Sequence, residues 1–176
     1  MPKLITAKRL EGDTEKAKEY VKIHILFPAS LLGLICLVAG SAALAYQFIA
    51  STYGWMTFLY SSGLLLVGGT LGWVQTRYHQ YLLAEHPAYF AGRMRVFARR
   101  GAQRPKRETP EPSLRHPGRA LVPWGYVLGV AAILGAATLS TIRGQVYYIA
   151  AFLLPWAGYF WAKTFFWRRV MADRKS

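Results

Sequence analysis

Pro28 to Gln75 reads PASLLGLICLVAGSAALAYQFIASTYGWMTFLYSSGLLLVGGTLGWVQ, without one Asp, Glu, Lys or Arg. A helix needs roughly 20 apolar residues to cross the hydrocarbon core of a bilayer. The stretch holds two such lengths, 27–50 and 53–75, parted by the polar break Ser51-Thr52. The pattern recurs from Ala120 to Ala162, where Arg143 is the sole charged residue. Arg143-Gly144 marks a tight turn between lengths at 121–142 and 145–167. The pattern predicts an all-α integral membrane protein with four transmembrane helices in two hairpins.

The rest of the composition agrees with that class. Of 176 residues 53% are apolar and 17% charged, which excludes collagen, a disordered tail and an ordinary soluble enzyme. The single Cys36 lies in an apolar run and forms neither an internal disulfide nor a zinc cage. Ala43-Leu44-Ala45 has the small-residue spacing of a signal-peptidase site. The preceding region is too long and too acidic for a signal peptide, so no cleavage is expected.

The charges that remain are segregated, with a net balance of +14. Six Lys and Arg precede the first apolar length, ten lie in 76–120, five lie at the C-terminal end from Lys163 onward, and Arg143 alone lies elsewhere. The positive-inside rule then places both termini and the central loop on the cytoplasmic side. A bacterial cytoplasmic membrane or an organelle inner membrane is the expected location.

The expected segments are a basic N-terminal stretch 1–26, a transmembrane hairpin 27–75, a basic loop 76–120, a second hairpin 121–167 and a tail 168–176. Within the loop, Arg77 to Glu85 should extend the second helix until Pro87 stops it. Phe90, Met94 and Phe97 then recur at helical spacing beside arginines, which predicts an amphipathic helix over 88–100 lying in the headgroup layer. Residues 101–119 are rich in Pro and Arg and read as extended.

Chemistry-bearing residues are few. A transporter needs an ionisable residue at mid-membrane, and the spans hold none. Lys163 is about one turn from the inner end of the last span and can snorkel. His24 and His79 flank the first hairpin on one side, where neutral imidazoles could ligate haem or (bacterio)chlorophyll. The competing reading is a pair of solvated interfacial histidines. His86 and His116 each precede a proline and read as surface residues. No nucleophile–base set, paired carboxylates or metal-ligand cluster is recognisable, so no enzyme activity and no soluble substrate are expected.

Small residues give a packing signal. Gly68 and Gly72, and again Gly125 and Gly129, stand in GxxxG spacing, which lets helix backbones approach closely in lipid. Arg93, Arg95, Arg99, Arg100, Arg104, Arg107, Arg168 and Arg169 form basic segments beside membrane anchors and lack a fold for base readout. They point to anionic lipid or to acidic surfaces of other membrane subunits, not to nucleic acid. The functional expectation is a non-catalytic accessory or structural subunit of a larger membrane complex, by base rate a respiratory or photosynthetic one. The alternatives are a haem- or (bacterio)chlorophyll-binding subunit using His79 or His24, and a free-standing small-molecule carrier or lipid sensor. Bound lipids are expected, with no cofactor certain.

Overall fold

The computed structural model describes residue 12 and residues 14–100 and 121–172, except for the side chains of 94–100 and 169–172. These residues form five helices: α1 Thr14–Ile49, α2 Trp55–Glu85, α3 Pro87–Arg100, α4 Leu121–Ile142 and α5 Tyr148–Ala172. α1, α2 and α4 are long and apolar enough to cross a membrane. Many of their large apolar side chains face outward, among them Val38 at 61%, Leu66 at 68% and Leu128 at 67% exposure. A water-soluble chain does not carry so continuous an apolar exterior. The architecture is that of an integral membrane protein.

Four membrane spans in two hairpins is therefore corrected to three candidate spans among the five helices. The apolar length at 145–167 is the one that fails. Its helix, α5, holds Pro155 in its interior, Lys163, and the amphipathic rings of Trp156, Tyr159 and Trp161. These lower its apolar character below that of the other three. α5 is also the most enclosed helix of its surroundings: Ala150, Ala151, Leu154 and Ala157 are at most 1% exposed. It is built as a core element against which α1, α2 and α4 pack.

The chain divides into two compact units. The first comprises Met1–Phe27 and Arg77–Arg119, the second Pro28–Thr76 and Ala120–Ser176. The division follows the sequence, since nearly all the acids and most of the bases fall in the first unit and the uninterrupted apolar lengths in the second.

In the first unit, Ala17, Tyr20 and Val21 of α1, Leu82 of α2, and Phe90 and Ala91 of α3 are buried. The expected amphipathic segment is helical, but the first residue of its stripe turns inward. Phe90 packs at 5.9 Å from the Tyr20 ring and 6.4 Å from His79, and is only 3% exposed. The side chains of Met94 and Phe97 lie outside the described residues. Residues 101–119, read as extended, lie outside them altogether.

α1 changes register on its way between the two units. Val21–Leu26 is π-helical, and the Phe27 N–H donates to the Lys22 carbonyl. Pro28 explains it: with no N–H, proline cannot bond the carbonyl of His24 four residues earlier, and a wider turn absorbs the lost bond.

In the second unit, two similar turns close one end. The N–H of Thr52 donates to Gln47 O at 3.0 Å and that of Ser51 to Phe48 O at 3.1 Å, with Ser51 at φ 58°. The N–H of Gln145 donates to Ser140 O at 3.3 Å and that of Gly144 to Thr141 O at 2.8 Å, with Gly144 at φ 66°. Both are Schellman endings, in which a left-handed residue reverses the chain while satisfying the last carbonyls.

Candidate functional site

The second unit is assembled around a glycine seam between α2 and α5. A Cβ placed on Gly68 would overlap the Pro155 carbonyl, and one on Gly72 the Tyr159 carbonyl. From the other side, a Cβ on Gly158 would strike the Leu65 carbonyl and come within 3.1 Å of Gly69 N. The two backbones touch, so only hydrogen fits at these three positions. Close approach of this kind lets Cα–H groups meet carbonyl oxygens and maximises dispersion, the main sources of helix association in lipid. α1 leans on the same helix, where a Cβ on Gly33 would meet Phe160 Cβ at 3.0 Å.

The other predicted glycine pair is placed differently. Gly129 would meet only the Leu71 side chain, at 3.6 Å, an ordinary contact. Gly125 has nothing within 4 Å. Beside the seam runs an open apolar groove of about 520 Å³, lined by Leu37, Leu65, Gly69, Trp73, Gly158 and Trp161 among others. Its hydroxyl, on Thr70, is spent on the helix's own Val67 carbonyl at 2.9 Å.

A polar clasp holds the end that carries the two turns. Gln47, 6% exposed, accepts from the Tyr147 N–H at 3.0 Å and donates to the Gln145 carbonyl at 3.4 Å. Arg143 reaches across to the Tyr60 hydroxyl at 2.6 Å. One side chain of α1 thus satisfies an N–H at the start of α5 that the helix cannot satisfy itself. Hydropathy could not signal this role, because a lone glutamine near a span end reads equally well as a solvated one.

The two candidate histidines fall in the first unit and belong to one ring cluster. His24 stacks on Tyr20 at 4.8 Å, with ring planes 6° apart. Tyr20 neighbours Phe90, and Phe90 meets His79 edge to face at 87°. Rings thus fill the space from one imidazole to the other, and the two histidines are linked through Tyr20 and Phe90. Among the described residues no three or more His, Cys, Asp or Glu side chains gather in a group able to hold a metal.

Of the basic candidates, Arg93 is exposed and lies 4.9 Å from the Tyr89 ring centre, a cation–π contact, and Arg168 is exposed on α5. Arg95, Arg99 and Arg100 belong to α3 and Arg169 to α5, but their side chains lie outside the described residues. Arg104 and Arg107 lie outside them entirely.

At the other end of the second unit Lys163, which the sequence places near a span end, meets partners that spacing did not signal. The Tyr159 hydroxyl donates to Gln75 Oε1, and the Lys163 ammonium sits 5.1 Å from the Tyr159 ring centre. Compared with known protein families, curated proteins and solved structures, the chain matches none.

Proposed function

We propose that this chain is a non-catalytic accessory subunit of a larger membrane complex, in an energy-transducing membrane of the bacterial cytoplasmic or organelle inner type. The observation that carries the reading is the contrast between its glycines. Gly68 and Gly72 of α2 are filled by α5, whereas Gly125 of α4 faces open space on a helix whose Leu121, Trp124, Val127 and Leu128 are 60–71% exposed. A small residue on an outward apolar face favours docking of another helix more than it favours lipid, which needs no close backbone approach. The basic residues of α3, the central loop and the end of α5 supply a second attachment, to acidic neighbours or anionic lipid, by many weak contacts acting together.

Reversal of Arg99, Arg100, Arg104 and Arg107 to Glu tests that attachment. The expected outcome is normal membrane insertion with loss of co-purifying subunits, more marked at high salt. Unchanged stoichiometry across a salt series would move the whole attachment to the helix faces.

The grouping of His24 and His79 around Phe90 favours a second reading, a haem- or (bacterio)chlorophyll-binding subunit. An absorption spectrum of the purified chain separates the two. A Soret or far-red band that disappears in His79→Ala would establish the pigment reading in place of the first.

A further inference from the structure

We propose that Arg143, held in place by Tyr60, binds the phosphate of an anionic phospholipid at the end of the second unit that carries the two turns. Arg143 is the sole charged residue of Pro28 to Gln75 and of Ala120 to Ala162. The second unit contains a single acid, Asp173, which lies outside the described residues. Among the described residues, this unit therefore offers the guanidinium no carboxylate.

The residue is nevertheless fixed. From the turn after α4, the Arg143 Nη1–H donates to the Tyr60 hydroxyl oxygen, on the second turn of α2, at 2.6 Å. Its backbone is held as well. The Gly144 N–H donates to the Thr141 carbonyl at 2.8 Å, and Gln145 Nε2 donates to the Arg143 carbonyl at 3.2 Å. Fixing a long side chain gives up rotamer entropy, and a fold that has already given it up spares a ligand that cost on binding. The Tyr60 oxygen accepts from the guanidinium and keeps its own O–H to donate. The guanidinium fork and the phenolic O–H thus stand one hydrogen bond apart, and a phosphate, with several acceptor oxygens, suits both.

The position of the pair selects a lipid. All three helices long and apolar enough to cross a membrane meet at this end. Gln47 of α1 donates to the Gln145 carbonyl at 3.4 Å, Tyr60 of α2 holds Arg143, and α4 runs directly into it. α4 has 22 residues, a length of about 33 Å, so its end reaches the border of a hydrocarbon core about 30 Å thick. Ile49, Trp55 and Ile142 stand at the ends of α1, α2 and α4 and are 74–80% exposed. A phospholipid meets both features at once, its acyl chains against that apolar rim and its phosphate at the guanidinium. A free aqueous anion would use only the second. This inference does not depend on the accessory-subunit reading, since a free-standing membrane protein would bind the same lipid.

The test is native mass spectrometry of the full chain released from nanodiscs of phosphatidylcholine and phosphatidylglycerol in equal parts. The reading is the number of phosphatidylglycerol molecules kept per chain as the collision energy rises. The other basic residues of the chain attract the same lipid, so the differences between variants carry the result. Arg143→Gln should weaken the hold on one phosphatidylglycerol by about three- to tenfold, the scale of a hydrogen-bonded charge at an exposed site. Tyr60→Phe leaves the charge unchanged and should weaken the same hold, and Arg143→Lys should keep only part of it. Lys175→Gln removes an equal charge elsewhere and should leave that lipid in place. An equal loss in Lys175→Gln would mean that retention follows net charge alone, which would overturn the site. Unchanged retention in Arg143→Gln would overturn it too, as would displacement of the lipid by inorganic phosphate. So would an Arg143→Gln variant that keeps its lipid and loses a co-purifying protein, which would assign the guanidinium to a partner's carboxylate. If Arg143→Gln does not fold, Tyr60→Phe set against Lys175→Gln decides the matter.

Discussion

At the scale of single residues, the glycines divide into those that carry the fold and those that do not. Gly68→Ala and Gly72→Ala each force a methyl into a carbonyl oxygen, and backbone cannot yield as a flexible side chain can. Each should destabilise the protein by about 1–3 kcal/mol or more, the usual cost of overpacking. Gly125→Ala meets open space and should leave the isolated chain as stable as before or slightly more so. Thermal unfolding in detergent ranks the three; a Gly68→Ala variant as stable as Gly125→Ala would mean that the seam does not bind α2 to α5. Sequence spacing marked both GxxxG pairs alike, because spacing reports which residues share a helix face and not what faces them.

Two further positions are decided by backbone chemistry. Ser51 holds a left-handed conformation, which costs a residue with a Cβ roughly 1 kcal/mol. Ser51→Gly should therefore raise the unfolding midpoint, provided the gain exceeds the extra flexibility of the unfolded chain. Gln47→Leu leaves the Tyr147 N–H unsatisfied and should cost about 1–3 kcal/mol. If Gln47→Leu unfolds at the wild-type temperature, another acceptor must serve that N–H.

At the scale of elements, proline acts in two ways. Pro87 ends one helix and opens the next, as its fixed φ and missing N–H dictate. Pro28 stands inside a continuous helix and shifts it into a π turn instead. Both prolines are visible in the sequence, but whether a helix stops or bulges depends on what lies before it. Here Ala17, Tyr20 and Val21 have a buried face to keep. Pro28→Ala restores the missing N–H, so hydrogen exchange should show a protected amide at position 28 and a regular α-helix through 21–26. A rapidly exchanging amide there would mean that the π turn has another cause.

α5 shows where hydropathy misleads, and Phe90 of α3 shows what it leaves out. Apolar residues beside arginines fit a headgroup layer, and Tyr20 and His79 offer Phe90 a protein surface as well. The apolar length at 145–167 has the size that fits a bilayer. Pro155, Lys163 and the Trp and Tyr rings lower the apolar character of α5, and α1, α2 and α4 pack on it. Hydropathy sums over a chain, whereas burial depends on partners far away in sequence. α1, α2 and α4 were legible because lipid contact needs no partner.

At the scale of the whole molecule, the charge pattern carries an expectation about sidedness. The N-terminal stretch and the central loop hold sixteen of the 22 Lys and Arg and are separated by α1 and α2. In a Cys36→Ser background, Ile5→Cys and Pro110→Cys should be labelled from one side of the membrane and Arg143→Cys from the other. Labelling of Ile5→Cys and Pro110→Cys from opposite sides would break the α1–α2 crossing pattern.

The account's central claim is that this chain works as part of a larger assembly. The most direct measurement is the mass and composition of the particle that carries it after extraction from its native membrane in a gentle detergent. The account predicts a particle much larger than the chain with its detergent belt, containing other membrane subunits in fixed stoichiometry. A particle holding this chain alone, at native expression and low salt, would contradict it.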